Sequence, residues 1–177
     1  MVKGIILLEG PDGAGKTTLA NRLLELFGGG TYIHAHYRYP DNMPIYHAAI
    51  LRKAIKLARK GQVVIIDRLH VSEYIYAKVF RGGSKWEWML DAFNYWCDKN
   101  SVVKVLCIPS TAKQGIEWFE AAREERPEMY TNIEEVIREY MRYSSQDKSF
   151  IVYNKDWSDS LKSVIYSGIK AALEKNK

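Results

Sequence analysis

The chain has 177 residues, carries a formal net charge of +5 and is 47% hydrophobic. This size suffices for one sizeable core, so we expect a single domain over residues 1–177. Its apolar runs are too short to span a membrane, and Cys97 and Cys107 lack zinc-site spacing, which favours a soluble cytoplasmic protein with free thiols. The positive charge suits an anionic ligand but does not choose between nucleotides and nucleic acid.

The first predicted strand, residues 5–8 (IILL), leads into residues 10–18 (GPDGAGKTT), and an amphipathic helix follows. The spacing G-x-x-x-x-G-K-[ST] between a strand and a helix is typical of a phosphate-binding P-loop. In such a loop, backbone N–H groups and the positive helix end converge on phosphate oxygens. Lys16 would place its charge on the β and γ phosphates, and Thr17 would offer a hydroxyl to Mg²⁺. The residues predicted to bind ATP are Gly10, Gly13, Ala14, Gly15, Lys16, Thr17 and Thr18.

The rest of the chain alternates predicted strands and helices. Further strands are expected at residues 31–36, 63–67, 102–108 and 150–153. Helices are expected after a cap at Asp41 or Asn42, over 71–80, after a cap at Ser84, from about Ala112, around 133–141 and around 161–172. This alternation predicts an α/β fold of the P-loop NTPase type, with a five-stranded parallel sheet and helices on both faces. Ligands would bind at the carboxyl ends of the strands.

The third predicted strand ends in a carboxylate and an arginine, Asp67 and Arg68. Because the carboxyl ends of parallel strands meet at one edge of the sheet, we expect this pair to face the P-loop. Asp67 would then hold Mg²⁺ or take a substrate proton, and Arg68 would grip a second phosphate in a bidentate way. A solvated ion pair at a strand end is the alternative interpretation.

Residues 9–18 (EGPDGAGKTT) and 67–72 (DRLHVS) resemble the thymidylate kinase family of nucleoside monophosphate kinases. That family carries an E-G-x-D-G-x-G-K-[ST]-T loop and a D-R-[YH]-x-x-S segment. The resemblance implies transfer of the γ-phosphoryl group of MgATP to a deoxypyrimidine nucleoside monophosphate. The residues that it implies for acceptor binding are Asp12, Arg38, Asp67, Arg68, Ser72 and Tyr76. An Asp inside a P-loop can also be a plain turn residue.

The resemblance also implies a short lid, at about residues 121–132. Family members take a further cation either from the P-loop or from lid arginines, and here the loop position before Ala14 is Gly13. We therefore expect the lid to supply it, since phosphoryl transfer depends on neutralising charge on the transferred group. A solvated charge cluster is the alternative interpretation of this segment. The predicted catalytic residues are Lys16, Asp12, Arg68, Arg123 and Arg126.

The chain departs from the family where the acceptor base is recognised, because the stretch between its second and third strands lacks an Ala-Asn-Arg-like segment. Tyr46, His47 and Arg52 are candidate substitutes, although we expect Tyr46 and His47 to be packing residues. The aromatic residues after position 83 are likewise expected to lie in the core. His34 and His36 share a strand face, and we expect them to be ordinary strand residues.

Three function classes follow from these patterns. The favoured one is a kinase of free deoxynucleoside monophosphates that uses ATP and Mg²⁺, with a homodimer left open. The second is a P-loop kinase that phosphorylates a modified base or a hydroxyl group within DNA. The third is a nucleotide-binding switch without turnover, against which the placement of Asp67 and Arg68 argues.

Overall fold

The computed structural model describes residues 3–35, 42–122, 132–155 and 158–175. The strands in these ranges are β1 (Gly4–Glu9), β2 (Thr31–His34), β3 (Val63–Asp67), β4 (Val103–Cys107) and β5 (Ile151–Tyr153). The helices are α1 (Lys16–Leu26), α2 (Met43–Arg59), α3 (His70–Arg81), α4 (Met89–Lys99), α5 (Ala112–Ala121), α6 (Ile133–Gln146) and α7 (Asp159–Lys175).

The strands form one parallel sheet in the order β2-β3-β1-β4-β5, which confirms the predicted five-stranded sheet. The central strand, β1, lies between β3 and β4, and Leu8 pairs with Asp67. The carboxyl ends of β1 and β3 are therefore side by side. This register brings the loop after β1 and the residues after β3 to the same edge of the sheet.

Helices cover both faces of the sheet, as predicted, because the strands are apolar on both sides. On one face, Ile6 and Leu8 pack in a core with Leu19 and Leu23 of α1 and with Leu173 of α7. On the other face, two further clusters pack against α2, α3, α4, α5 and α6. The site edge thus rests on a sheet that is buried on both sides.

The segment after α3 differs from the prediction, because Ser84 does not begin a helix. The Ser84 hydroxyl accepts a hydrogen bond from the Trp86 N–H at 3.0 Å, residues 85–88 form turns, and α4 begins only at Met89. The aromatic residues there are also not uniformly in the core. Phe93 is buried, but Trp88 and Tyr95 are 57% and 59% exposed.

The sequence also led to expectations about the two cysteines and about membrane-spanning segments. Cys97 and Cys107 are both free, as predicted, and the structure shows that both are also buried. Among the described residues, no helix combines the length and apolar character that a membrane span requires.

Candidate active site

The loop between β1 and α1 is shaped by glycines that no larger residue can replace. Gly10 has a φ of 150°, and a Cβ there would lie 2.1 Å from the carbonyl oxygen of Cys107. Gly13 has a φ of 76°, and a Cβ there would lie 2.8 Å from the Cα of Phe119. The left-handed backbone and the close approach of β4 and α5 both require glycine. The loop is therefore locked in a curled shape that ends at the N-terminus of α1.

Lys16 lies inside this curl. Its ammonium group donates hydrogen bonds to the carbonyl oxygens of Gly10 at 3.0 Å and Pro11 at 2.7 Å, and the residue is buried. Burial, followed by the nearby charge of Arg68, lowers the pKa of Lys16. Thr17 and Thr18, the next two residues, are exposed in the first turn of α1. A cation, two exposed threonines and a positive helix end thus lie together at the end of β1, which is an arrangement suited to phosphate.

The Asp67 carboxylate faces the P-loop and is held by side chains from two other elements. Its Oδ2 accepts a hydrogen bond from the Tyr32 hydroxyl at 2.6 Å and lies 3.4 Å from both the Thr17 hydroxyl and Nδ1 of His34. Burial alone would raise the pKa of Asp67, but a hydrogen bond from His34 and two nearby cations outweigh it and lower this pKa. Asp67 is therefore ionised at neutral pH.

The same carboxylate fits a magnesium ion. Its other oxygen, Oδ1, is buried and has no hydrogen-bond partner among the described residues, although Asp67 is charged. Those residues contain no group of three or more His, Cys, Asp or Glu side chains that would enclose a metal. Mg²⁺ does not need such a group, because it keeps several waters and takes one or two carboxylates together with phosphate oxygens. A carboxylate with one unpartnered oxygen among the described residues, and with its other oxygen 3.4 Å from the Thr17 hydroxyl, matches that requirement.

A second charged cluster, which we call the Arg68 cluster, consists of Asp12, Arg68 and Tyr76. Nη2 of Arg68 forms an ion pair with Oδ1 of Asp12, and the Tyr76 hydroxyl donates to Oδ2 of Asp12 at 2.8 Å. The guanidinium also stacks over the Tyr76 ring, 5.1 Å from its centroid. Arg68 is buried and has a φ of 71°, whereas the Asp12 side chain is 39% exposed. The cluster therefore presents a fixed guanidinium and a carboxylate that is open to solvent.

Glu9, the last residue of β1, anchors the start of α3. Its carboxylate accepts hydrogen bonds from the N–H groups of Leu69 at 2.8 Å, Val71 at 3.2 Å and Ser72 at 3.2 Å, and from the Ser72 hydroxyl. The Ser72 hydroxyl also lies 2.7 Å from the Tyr140 hydroxyl on α6. Because Leu69 directly follows Arg68, this anchor fixes the backbone from which the guanidinium extends.

The structure brings together part of the predicted site. Lys16, Thr17 and Asp67 share one edge of the sheet with Asp12, Arg68 and Tyr76. Three predicted site residues lie outside the described residues, namely Arg38, Arg123 and Arg126. Residues 123–131 of the predicted lid also lie outside them.

Ser72 differs from its predicted place. It is fully buried beneath Glu9 and Tyr140, so in this structure it supports α3 instead of lining an open acceptor pocket. His47 is also fully buried, with its ring edge-on to Phe93, which confirms the packing role expected for it. Arg52 is exposed on α2.

Sequence reasoning missed three residues that contact the site: Tyr32 and Lys155 received no role, and His34 was expected to be an ordinary strand residue. Tyr32 and His34 reach Asp67 because β2 pairs with β3, and their spacing of two residues, which puts both on one strand face, is the signal that could have indicated a shared role. Lys155 donates to the carbonyl oxygen of Gly13 at 3.2 Å and lies 4.9 Å from the centroid of the Trp118 ring. Nothing in the local sequence indicates the Lys155 contact.

Because Glu9 is buried, we expect the free energy of unfolding to depend on pH. Burial raises its pKa from 4.5 to about 7, even though Ser72 and the Leu69 N–H donate to it. Between about pH 4.5 and 7, Glu9 is therefore protonated to a greater extent in the folded chain than in the unfolded chain. The free energy of unfolding that this protonation contributes is lost as pH rises through that window. At about 1.4 kcal/mol per pKa unit, the loss amounts to roughly 2–3 kcal/mol between pH 5 and 8.

The test compares the free energy of unfolding in urea for the natural chain and for Glu9→Gln. The pair is needed because burial lowers the pKa of His47 to about 3 and of His70 to about 4, which makes stability rise with pH in part of the same window. We expect the stability difference between the two chains to shift by roughly 2–3 kcal/mol from pH 5 to pH 8. Glu25→Gln, at an exposed position, serves as the control. Parallel pH profiles for Glu9→Gln and the natural chain would contradict the raised pKa.

Comparisons with known proteins place this geometry in context. No family model matches the chain. A segment of 83 residues is 37% identical to the Holliday junction branch migration complex subunit RuvB of Chlorobium phaeobacteroides, and it covers 41% of this chain. The chain spans only 20% of the length of RuvB.

Solved structures match over nearly the whole chain. The YorR protein of Bacillus subtilis, in complex with phosphorylated GDP, is 21% identical with a TM-score of 0.65, over 94% of this chain and 96% of YorR. Deoxyadenosine kinase of M. mycoides, with the products dCMP and dCDP, is 15% identical with a TM-score of 0.55, over 94% and 99%. Shikimate kinase of Acinetobacter baumannii, in complex with shikimate, is 16% identical with a TM-score of 0.56, over 100% and 96%. Together with the five-stranded parallel sheet, these matches give the chain the α/β fold of the P-loop NTPases.

Proposed function

We propose that this chain is an ATP-dependent phosphotransferase whose acceptor is a deoxynucleoside monophosphate, in the manner of the thymidylate kinases. The observation that carries the proposal is the Arg68 cluster, in which a buried guanidinium lies at the same sheet edge as the P-loop. A P-loop alone suits any nucleotide-binding protein. The guanidinium of Arg68 is buried at the same sheet edge, and its partner, the Asp12 carboxylate, is partly exposed to solvent. This arrangement suits an acceptor that carries its own phosphate.

The proposed roles follow from the contacts. The P-loop N–H groups and Lys16 would hold the β and γ phosphates of ATP, in place of the carbonyl contacts that Lys16 makes here. Thr17 and Asp67 would hold Mg²⁺, which neutralises charge on the phosphates when it is bound. Arg68 would hold the acceptor phosphate, and Asp12 would orient the acceptor sugar and return to Arg68 after release. Arg38 is proposed for the acceptor phosphate, and Arg123 and Arg126 for the transferred group.

The proteins of similar fold support this class of reaction. One was solved with phosphorylated GDP, one with dCMP and dCDP as products, and the same deoxyadenosine kinase with dATP. Shikimate kinase, which has the same fold, was solved with a ligand that is not a nucleotide. The acceptor of the present chain therefore has to be argued from its own cluster, and a phosphate-bearing acceptor fits the Arg68 cluster best.

The direct test is ADP release from MgATP with a panel of ribonucleoside and deoxynucleoside monophosphates, with shikimate and duplex DNA as further acceptors. We expect the largest rates with deoxypyrimidine monophosphates. The corresponding nucleosides, which lack the phosphate, should be poor acceptors because Arg68 then has nothing to bind. Turnover with nucleosides but not with monophosphates would overturn the assignment of Arg68, and turnover with DNA alone would move the acceptor to nucleic acid.

Asp67→Asn tests the proposed magnesium site. Removing the charge while keeping the shape is expected to raise the Mg²⁺ concentration needed for half-maximal turnover by about 10- to 100-fold. The measurement is a Mg²⁺ titration of ADP release at saturating nucleotide. Tyr32→Phe is the matched control, because it removes the 2.6 Å hydrogen bond to Asp67 but leaves the carboxylate. Equal Mg²⁺ requirements in the natural chain and Asp67→Asn would contradict the site.

A further inference from the structure

One helix of this chain carries positive charges without any acidic residue to balance them. Residues 42–66, which include all of α2, contain no Asp or Glu. The basic face of α2, as we call it, consists of Arg52, Lys53, Lys56 and Arg59 together with Lys60, which directly follows the helix. Its five positive charges equal the formal net charge of +5 of the whole chain, so the rest of the molecule is balanced overall.

The five side chains lie on one side of the helix. At 100° per residue they fall within an arc of about 120°, and at 1.5 Å per residue they extend over about 12 Å. All five are exposed, and no ion pair or hydrogen bond joins their side chains to another described residue. The arginines of α6 differ, because Arg138 and Arg142 pair with glutamates of their own helix. The charge of the basic face is thus available to an external anion.

The basic face is separate from the candidate active site. Four of its residues line a groove of about 410 Å³ together with Ile55, namely Arg52, Lys56, Arg59 and Lys60. An adjoining groove of about 240 Å³ continues from Arg59 to Lys3 and Gly4, at the start of β1. The P-loop follows the other end of β1, and a strand of six residues at about 3.3 Å per residue places the two ends roughly 17 Å apart. Neither groove includes a residue of the Arg68 cluster or the P-loop.

We propose that the basic face of α2 is a docking surface for nucleic acid, which it binds through backbone phosphates. A duplex carries about one negative charge per 1.7 Å of its axis, so a 12 Å row of cations faces about seven phosphate charges. The apolar side of α2, with Ile50, Leu51 and Ala54, is buried in the core, and the exposed Ile45 near the start of the helix offers a single large apolar side chain to a lipid bilayer. Phosphates, which need only charge, are the better match. Because contacts to phosphates carry no base information, the binding is expected to be independent of sequence.

The test measures the binding of a fluorescent 20-base-pair duplex by anisotropy, without nucleotide, at 50 to 200 mM salt. We expect affinity to fall with salt at a log–log slope of roughly −3, as for three to four phosphate contacts. The triple variant Lys53→Gln, Lys56→Gln, Arg59→Gln should lose at least about 10-fold in affinity at 50 mM salt and most of the slope. The matched control, Lys99→Gln, Lys113→Gln, Lys148→Gln, removes the same charge from exposed positions elsewhere and should bind as the natural chain does.

Several results would overturn this proposal. They are undetectable duplex binding by the natural chain at 50 mM salt, equal losses in both triple variants, or tighter binding to vesicles of anionic lipid than to the duplex. Circular dichroism and urea unfolding show whether each variant is folded. Because the assay contains no nucleotide, its outcome does not depend on the proposed kinase activity, and ADP release by the variants tests that activity independently.

Discussion

Replacing Lys16 with methionine is expected to abolish measurable turnover and to leave the fold intact. The ammonium group lies within the P-loop curl, and removing a preorganised charge from a phosphoryl-transfer site typically costs about three orders of magnitude in rate. Methionine fills similar space. It also avoids the cost of burying a charge, a cost that is evident in the lowered pKa of Lys16. The free energy of unfolding should therefore change by only about 1 kcal/mol, as two hydrogen bonds to loop carbonyls are lost.

The measurement pairs ADP release with urea unfolding of the same preparation. Lys148→Met, at an exposed position after α6, controls for the loss of one lysine and should keep full activity. A Lys16→Met chain that retains more than about a tenth of the natural rate would show that the loop does not act on the transferred phosphate. An unfolded Lys16→Met chain would instead show that the two carbonyl contacts are structural.

The fold was predictable because its signals are local. Alternating apolar strands and amphipathic helices predict a parallel sheet, and the spacing of residues 10–18 predicts the loop between β1 and α1. The approach of Thr17 to Asp67 was also predictable. Thr17 follows the loop after β1 and Asp67 ends β3, and the carboxyl ends of parallel strands lie at the same edge of the sheet. The predictions that were wrong concern the start of α4 and the burial of its aromatic residues, for which the sequence has no such local signal. Trp88 is exposed in the turn that precedes α4, and Tyr95, two residues after the buried Phe93, lies on the opposite side of that helix.

The support of the site was less predictable, because it depends on pairings between distant elements. Ser72 belongs to a segment that suggests an acceptor contact, yet the buried Glu9 carboxylate takes its hydroxyl and N–H. Tyr32 reaches Asp67 only because β2 lies at the edge next to β3. Lys155 contacts a residue 142 positions away in the sequence. Motifs therefore identify the groups that meet a ligand, whereas the groups that hold them in place emerge from the packing.

Arg68→Ala is expected to raise the KM for the monophosphate acceptor by about 100-fold or more and to change the KM for ATP by less than about threefold. The asymmetry follows from position, because Arg68 extends from the end of β3 toward Asp12 and Tyr76, whereas Lys16 lies within the ATP loop. Stability should also fall, because Arg68 is buried against Tyr76 and pairs with Asp12, so urea unfolding has to show that the variant is folded. Steady-state kinetics with each substrate varied in turn provides the measurement. Equal increases in both KM values would contradict an acceptor-side role.

Arg68→Lys and Asp12→Asn make this test specific to the Arg68 cluster. Lysine keeps the charge but loses the planar fork and the stacking on Tyr76, so we expect Arg68→Lys to recover only part of the acceptor affinity. Asp12→Asn leaves the guanidinium without its counterion and should raise the acceptor KM less than Arg68→Ala does. Because the two side chains are in direct contact, their effects should not add in the double variant. If the effects of the two substitutions on the acceptor KM were strictly additive, acceptor binding would not involve breaking the ion pair between Arg68 and Asp12.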